Sequence, residues 1–136
     1  MAYFNRGIAY KNLGQHQRAI QDYDKAIQLE PTVVGRYHNR GVAYYNLGQY
    51  QRAIEDFDKA IQLDPNYVDA YVGRGVAYHH LGQHQRAIND YDKAIQLDPN
   101  DALFHNNRGI TYGNLGQDEK ADADKAKACS LDSQYC

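Results

Sequence analysis

Three side chains, Tyr45, His79 and His80, are the residues in this sequence best able to form a chemical site. All three are predicted to lie on one concave surface of the protein, where they could approach one another. Zinc needs three or four convergent ligands, usually from cysteine, histidine or carboxylate side chains. No cysteine or carboxylate recurs at the spacing of these histidines. We therefore predict no metal site.

The sequence also lacks the residue sets that enzymes use. It has no glycine-rich phosphate loop, no serine, histidine and aspartate set, and no isolated carboxylate pair in an apolar setting. Its aspartates and lysines recur at regular intervals, as they do on solvated helix faces. We predict that the protein is not an enzyme and that it binds no cofactor.

Charge and hydropathy exclude two further classes of partner. The formal net charge is −2 and the pI is about 6.3, so the basic footprint of a nucleic-acid-binding protein is missing. No apolar run approaches the roughly 20 residues that span a bilayer, and we predict no membrane insertion. The absence of a signal segment weakly favours a cytoplasmic location and leaves the compartment otherwise open.

The two cysteines are predicted to play unrelated parts. Cys129 occupies a position that is isoleucine elsewhere in the sequence, which indicates a small buried apolar side chain. Cys136 ends the chain, and we expect it to be a free, exposed thiol. Their spacing matches neither a metal site nor a redox motif.

The elements that position these side chains repeat every 34 residues. The recurring groups include Arg6-Gly7, Arg40-Gly41, Arg74-Gly75 and Arg108-Gly109. A fixed period of this length indicates a repeat array. Four periods fill the chain as one array, with repeats at about 1–33, 34–67, 68–101 and 102–136, and they leave no room for a second domain.

One repeat reads as a pair of antiparallel helices. Apolar residues recur at helical spacing from about 69 to 81, and Gly82 follows as a stop signal. A second helix is predicted from about 85 to 97, before the break at Asp98-Pro99-Asn100. Gly75 lies mid-helix at a cost of about 1 kcal/mol. We predict that it packs against the small face of Ala87 and Ala94, which would let the two helices cross tightly.

The pattern of these residues resembles the tetratricopeptide repeat along the whole chain. In the second repeat the matching residues are Tyr37, Gly41, Tyr44, Ala53, Phe57, Ala60 and Pro65. Two departures are an arginine at the family's first leucine and a tyrosine, or His105 in the fourth repeat, at its tryptophan. The resemblance implies an all-α fold, an α-solenoid of four helix-turn-helix repeats whose eight helices form a right-handed superhelix.

The recurrent arginine has a partner at a fixed distance. Each one precedes an aspartate by 16 residues, in the pairs Arg6 and Asp22, Arg40 and Asp56, Arg74 and Asp90, and Arg108 and Asp124. Positions with a constant sum face each other in an antiparallel hairpin. We interpret these as structural pairs within each repeat; the alternative is that the arginines reach a ligand.

The two ends of the array differ. In the fourth repeat Asp122 and Lys125 replace an isoleucine and an aromatic residue that would face a fifth repeat. Polar replacement is typical of a terminal cap, so we expect the array to end there. The first helix keeps a face suited to stacking.

The resemblance implies that the first helix of each pair lines a concave groove. The predicted peptide-binding residues there are Phe4, Asn5, Ile8, His38, Asn39, Val42, Tyr45, Val72, Val76, His79, Asn106, Asn107 and Ile110. The asparagines at 5, 39 and 107 share one position, broken by Gly73. They could form a ladder that binds a peptide backbone, or they could be solvated residues that help the helix start.

Relatives that clamp an acidic peptide terminus carry lysine and arginine in the groove. The matching positions here are Phe4, Ile8, Asn39, Asp69 and Gly73, and none of them is basic. The expected function is therefore a non-catalytic module or scaffold that binds a protein or peptide partner through apolar contacts. The alternative is a homo-oligomer that stacks through its open amino-terminal face or fills a neighbour's groove.

Overall fold

The computed structural model describes residues 1–136, which form eight α-helices and no strands. The helices are α1 (Ala2–Asn12), α2 (His16–Leu29), α3 (Val34–Asn46), α4 (Tyr50–Leu63), α5 (Val68–His80), α6 (His84–Leu97), α7 (Ala102–Asn114) and α8 (Asp118–Leu131). A single 3-10 turn, Ser133–Tyr135, follows α8. The prediction of an all-α chain with eight helices is confirmed; in the third pair, three of the four predicted helix ends differ by one residue and the fourth, Leu97, coincides.

Each pair of helices reverses direction at a glycine in the left-handed region. Gly82 has φ +74°, a conformation that glycine adopts without steric cost. The next amide, Gln83 N–H, donates to the Tyr78 carbonyl at 2.9 Å and closes the end of α5. The reversal is tight, so the helices of each pair, α1/α2 to α7/α8, lie side by side along their lengths.

An aromatic ring of the second helix lies against the mid-helix glycine of the first. A Cβ atom built on Gly75 would stand 2.8 Å from Tyr91 Cε1, well inside van der Waals contact. The prediction that Gly75 packs against Ala87 and Ala94 is therefore wrong, because its closest neighbour is the Tyr91 ring. The ring fills the space between the helices, and glycine is needed because no side chain fits beside the ring.

The fourth pair shows what happens without the ring. Lys125 stands at the aromatic position, and a Cβ on Gly109 would meet the backbone carbonyl oxygen of Ala121 at 3.2 Å. It would also stand 3.0 Å from Asp124 Cβ. In this pair α7 and α8 approach each other directly, backbone against backbone.

The Phe57 ring also joins its own helix pair to the next one. A Cβ on Gly73 of α5 would lie only 2.6 Å from Phe57 Cζ of α4. Phe57, which is 1% exposed, is thus enclosed between Gly41 of its own pair and Gly73 of the following pair. This contact explains why Gly73 interrupts the predicted asparagine ladder.

A hydrogen bond fixes each connection between pairs. The hydroxyls of Tyr37 and Tyr71 donate to the carbonyls of Pro31 and Pro65, both at 2.8 Å. His105 takes the place of tyrosine in the fourth pair, and its Nε2–H donates to the Pro99 carbonyl at 3.0 Å. The histidine keeps the hydrogen bond, so the departure from the repeat pattern preserves the function of the position.

The four predicted arginine–aspartate pairs are confirmed. In the third pair, Arg74 donates through Nε and Nη2 to the two carboxylate oxygens of Asp90, at 2.9 and 2.7 Å. The other pairs have the same bidentate geometry. The Arg6 guanidinium holds the pKa of Asp22 below its usual range, and the bond to Asp56 raises the pKa of Arg40.

The interior arginines also bind a second carboxylate, which sequence reasoning missed. Arg74 Nη1 donates to Asp58 of the preceding pair at 2.8 Å. Arg40 and Arg108 contact Asp24 and Asp92 in the same way. The signal was present, because these aspartates precede the arginines by the same 16 residues. Each interior arginine therefore bridges two consecutive helix pairs.

Arg36 is a second missed ion pair, found at one junction only. Its side chain is 3% exposed, and its Nη1 donates to the Ala26 carbonyl at the end of α2, at 2.7 Å. It also bonds the Glu30 carboxylate. The corresponding residues at later junctions are Ala70 and Phe104, so the repeat pattern does not predict a buried charge here.

The prediction that Cys136 is a free, exposed thiol is wrong. Cys129 and Cys136 form a disulfide, and their Cα atoms are 4.6 Å apart. The 3-10 turn after α8 folds the chain back so that the last residue reaches that helix. Cys129 is half-buried, as are Ile27, Ile61 and Ile95 at the equivalent positions of the earlier repeats.

Replacing a glycine by alanine at two helix positions tests the ring contact. Gly75→Ala should lower the free energy of unfolding by about 1–3 kcal/mol, because the added methyl group overlaps the Tyr91 ring. Gly113→Ala is the matched control. Its nearest neighbour would be Ala121 Cβ at 3.9 Å, so it should be neutral or stabilise by up to about 1 kcal/mol. Urea denaturation measures both; equal effects would contradict this account of the packing.

Candidate functional site

The predicted peptide-binding residues line one side of α1, α3, α5 and α7, and we call this side the groove surface. None of the thirteen is fully buried: Asn5 and Ile110 are exposed and the others are half-buried. Half-burial leaves each side chain fixed by its neighbours and still open to a partner. All thirteen belong to the first helices of the four pairs, and the largest fully buried rings belong to the second helices.

The amino-terminal part of the groove surface is apolar. Phe4 and Ile8 pack on the cluster around Tyr23, with the Phe4 and Tyr23 ring centres 5.8 Å apart. His38 lies between the Phe57 and Tyr67 rings, at 5.8 and 5.5 Å. This burial lowers the pKa of His38, so the imidazole is neutral near pH 7.

His79 is held in one neutral tautomer by a chain of hydrogen bonds between α5 and α7. Thr111 Oγ1 donates to the Asn107 carbonyl at 2.9 Å, so its oxygen must accept from His79 Nδ1–H at 3.1 Å. His79 Nε2 is then left as an acceptor, with the Asn114 amide nitrogen 3.5 Å away. Desolvation, then nearby His84 and His80, lowers the pKa of His79.

Tyr45, His80 and Tyr50 form an aromatic cluster between α3, α4 and α5. The Tyr45 hydroxyl and His80 Nε2 are 2.8 Å apart. The Tyr50 ring stacks on His80, with centres 5.1 Å apart and planes 8° from parallel. The prediction that Tyr45, His79 and His80 approach one another is confirmed, and the contacts are those of packed rings. No group of three or more histidine, cysteine or acidic residues is arranged to hold a metal ion.

A depression of about 160 Å³ lies on the groove surface between α5 and α7. Four predicted site residues line it, Val76, His79, Asn107 and Ile110, together with His80, Tyr91 and Thr111. Valine and isoleucine supply apolar walls, and the asparagine amide supplies a donor and an acceptor. The structure thus brings part of the predicted site together, while Phe4, Ile8 and His38 lie toward the other end of the array.

The asparagines at positions 5, 39 and 107 differ in their surroundings. The Asn39 amide donates to the Gly35 carbonyl of its own helix at 2.7 Å, which leaves only its oxygen for a partner. Asn5 is exposed, and Asn107 lines the depression. The ladder therefore stays a prediction, supported best at Asn107.

Sequence reasoning missed Tyr91, Thr111 and Asn114 as neighbours of the groove histidines. Tyr91 lies on a second helix, and its ring passes through the pair to reach the depression. Thr111 had a visible signal, because it stands where the other repeats have alanine. The threonine occurs only in the fourth repeat. The third repeat, which precedes it, is the only one with histidine at the position of His79.

Comparison with known proteins matches this architecture. Models of the tetratricopeptide repeat match residues 1–33, 38–102 and 90–123. No curated protein matches the sequence. No helix is long and apolar enough to cross a membrane.

Several solved structures are similar along nearly the whole chain. A crystal structure of MamA is 28% identical with a TM-score of 0.92, over 97% of this chain and 77% of MamA. MamA from Desulfovibrio magneticus RS-1, residues 41 to the end, is 26% identical with a TM-score of 0.90, over 97% and 75%.

A third similar structure contains a ligand. It is the first tetratricopeptide domain of Spaghetti (RPAP3), bound to the HSP90 peptide SRMEEVD. It is 28% identical with a TM-score of 0.83, over 85% of this chain and 91% of that one. The repeat models, the paired helices and these neighbours agree, and the chain belongs to the tetratricopeptide repeat family, with an all-α solenoid fold.

Proposed function

We propose that this protein is a non-catalytic scaffold whose groove surface binds a segment of a partner protein through apolar and neutral polar contacts. The observation that carries the proposal is the composition of that surface. Val42, Val76 and Ile110 provide partly exposed apolar area, and Asn107 provides hydrogen-bonding groups beside them. Burial of apolar area contributes about 25 cal/mol per Å² before ordering costs.

The groove surface does not suit an acidic peptide terminus. The RPAP3 domain was solved with a peptide that ends in Glu-Glu-Val-Asp. At the positions where carboxylate-binding relatives carry basic residues, this chain has Phe4, Ile8, Asn39, Asp69 and Gly73. His38 and His79 add no positive charge near pH 7, because burial lowers the pKa of each. The partner segment should therefore bear apolar or aromatic side chains.

A second candidate function is self-association, in which copies stack through α1 or a segment of one copy fills the groove of another. The observation in its favour is the exposure of Arg6, whose counterparts are covered at every later junction. The two functions differ in what they require. Self-association needs no other protein, whereas the scaffold function does.

The groove proposal is tested with the variant Val42→Asp/Val76→Asp. We expect binding to weaken at least tenfold, about 1.4 kcal/mol, because two charges enter an apolar contact. The ligand is a partner recovered with the intact chain by pull-down and mass spectrometry, and calorimetry measures its affinity.

Gln51→Asp/Gln85→Asp is the matched control, with the same added charge on exposed positions of α4 and α6. It should bind like the wild type, and circular dichroism should show both variants folded. Unchanged binding by the valine variant, or affinity that collapses with added salt, would move the site to the charged faces of the array.

The neutral groove histidines give a pH prediction. His38 and His79 have folded pKa values below the ordinary value of about 6.5, so the unfolded chain takes up protons at higher pH than the folded one. Stability should fall as pH decreases below that value. The melting temperature should drop between pH 7.5 and 5.5, and it should drop less in His38→Gln/His79→Gln. An identical drop in both proteins would show that other groups cause it.

Light scattering at several concentrations separates the two candidate functions. We expect the mass of one chain from about 10 to 200 µM, because α8 has Lys125 and Ala126 where α2, α4 and α6 have the aromatic residue and the aspartate that contact the next pair. A mass that rises with concentration would favour self-association.

A further inference from the structure

The depression between α5 and α7 contains a hydroxyl group that has no partner within the chain. Tyr91 lines the depression, although the residue as a whole is only 2% exposed. The hydrogen bonds that run beside it join Thr111 to the Asn107 carbonyl and His79 to Thr111, and neither includes the Tyr91 hydroxyl. A buried polar group usually has a hydrogen-bond partner, so this hydroxyl calls for an explanation.

The direction of the ring explains why the hydroxyl opens into the depression. The ring at the same position of α4, Phe57, reaches the next pair with its Cζ atom, 2.6 Å from where a Cβ on Gly73 would stand. Asn107 is the residue of α7 that corresponds to Gly73. The hydroxyl of Tyr91 extends beyond Cζ, toward α7. At the same position of α2 the Tyr23 hydroxyl is fully enclosed, whereas that of Tyr91 opens into the depression.

The size and the walls of the depression suit one aromatic ring. Its volume is about 160 Å³, and Val76 and Ile110 form apolar walls. Ile110 is 44% exposed, so this apolar area is open to a ligand. An apolar cavity of about 150 Å³ in another protein binds benzene, which shows that such a volume admits a single six-membered ring. An indole, with two fused rings, is larger than this ligand.

The polar groups of the depression select a neutral ligand. No lysine, arginine, aspartate or glutamate lines it. Desolvation lowers the pKa of His79, so that side chain adds no positive charge near pH 7. Burial raises the pKa of the Tyr91 hydroxyl, which is therefore neutral and can both donate and accept a hydrogen bond. A carboxylate or an ammonium group would lose its hydration here without gaining an opposite charge.

We propose that this depression is a socket for one tyrosine side chain of the partner segment, whose ring packs on Val76 and Ile110 and whose hydroxyl bonds that of Tyr91. The inference rests on the proposed scaffold function, because it names the side chain that the groove surface receives. The Asn107 amide, which also lines the depression, is placed to bond the peptide backbone beside that tyrosine.

The test uses N-acetyltyrosinamide and N-acetylphenylalaninamide, which differ only in the hydroxyl group. Each is titrated into the isotope-labelled full chain, and the methyl NMR signals of Val76 and Ile110 are followed. We expect both signals to shift with the tyrosine amide, with an affinity on the order of millimolar. The phenylalanine amide should bind about two- to tenfold more weakly, because it lacks the hydrogen bond. N-acetyltryptophanamide should also bind more weakly than the tyrosine amide.

Tyr91→Phe removes the hydroxyl of the protein, and Phe57 shows that the fold accepts phenylalanine at this position. The preference for the tyrosine amide should disappear in this variant, since the two hydroxyls act as a pair. The melting temperature should stay the same or rise, because no internal hydrogen bond is lost. Tyr23→Phe is the matched control: it removes an enclosed hydroxyl at the same position of α2 and should keep the full preference.

Four results would overturn the socket: no shift of the two methyl signals, equal affinity for the tyrosine and phenylalanine amides, tighter binding of the tryptophan amide, or a preference that survives in Tyr91→Phe. These titrations need no partner protein, so they are separate from the test of the scaffold function. A recovered partner that binds while the amides do not would leave the groove proposal and remove the socket. The predicted preference among the amides would support the socket even if no partner were recovered.

Discussion

The junction between α4 and α5 depends on one aromatic ring enclosed between helix backbones. Phe57 of α4 occupies the space that side chains would take on Gly41 of its own pair and Gly73 of the next. Because the ring touches both first helices, it sets their separation and the offset from one pair to the following one. Where lysine replaces the ring, in the fourth pair, the two helices come together directly. The spacing of the second and third helix pairs thus follows from the size of one side chain.

The interior arginines fix the orientation of neighbouring helix pairs. Arg74 binds Asp90 of its own pair and Asp58 of the preceding pair, so its planar guanidinium ties three helices in a fixed geometry. Partly exposed ion pairs contribute only about 0–1 kcal/mol each, and burial of the rings and alanines stabilises the array more. These bonds also pair the arginine and aspartate charges away from the groove surface. The side chains of the groove surface include valine, asparagine, tyrosine and neutral histidine. Packing and alignment are therefore carried out by different side chains of the same first helices.

Periodicity predicted the helices, their pairing and the arginine–aspartate bonds within a pair, because each of these recurs at a fixed interval. It failed where a contact depends on one repeat alone. Arg36 is buried against the end of α2, and no other repeat has a charge there. Cys136 was assigned as free because a lone terminal residue gives no pattern; only the fold of the tail brings it to Cys129. The partner of Gly75 was misassigned because spacing identifies a face but not which of its residues is long enough to cross the gap. On the groove surface, the spacing predicted a set of residues but could not give the tautomer of His79, which depends on Thr111 of the next pair.

The enclosed ring has a consequence for how such arrays are inherited. The residue opposite the ring belongs to the following repeat: glycine at 73 follows Phe57, whereas asparagine at 39 and 107 follows Tyr23 and Tyr91. A duplication or exchange that cuts between α4 and α5 separates two residues that must fit, although it respects the 34-residue period. A cut within the turn of a pair, at the left-handed glycine, keeps ring and opposing residue together. The unit that can be copied intact is therefore the junction, the second helix of one pair with the first helix of the next, rather than the hairpin that the period delimits.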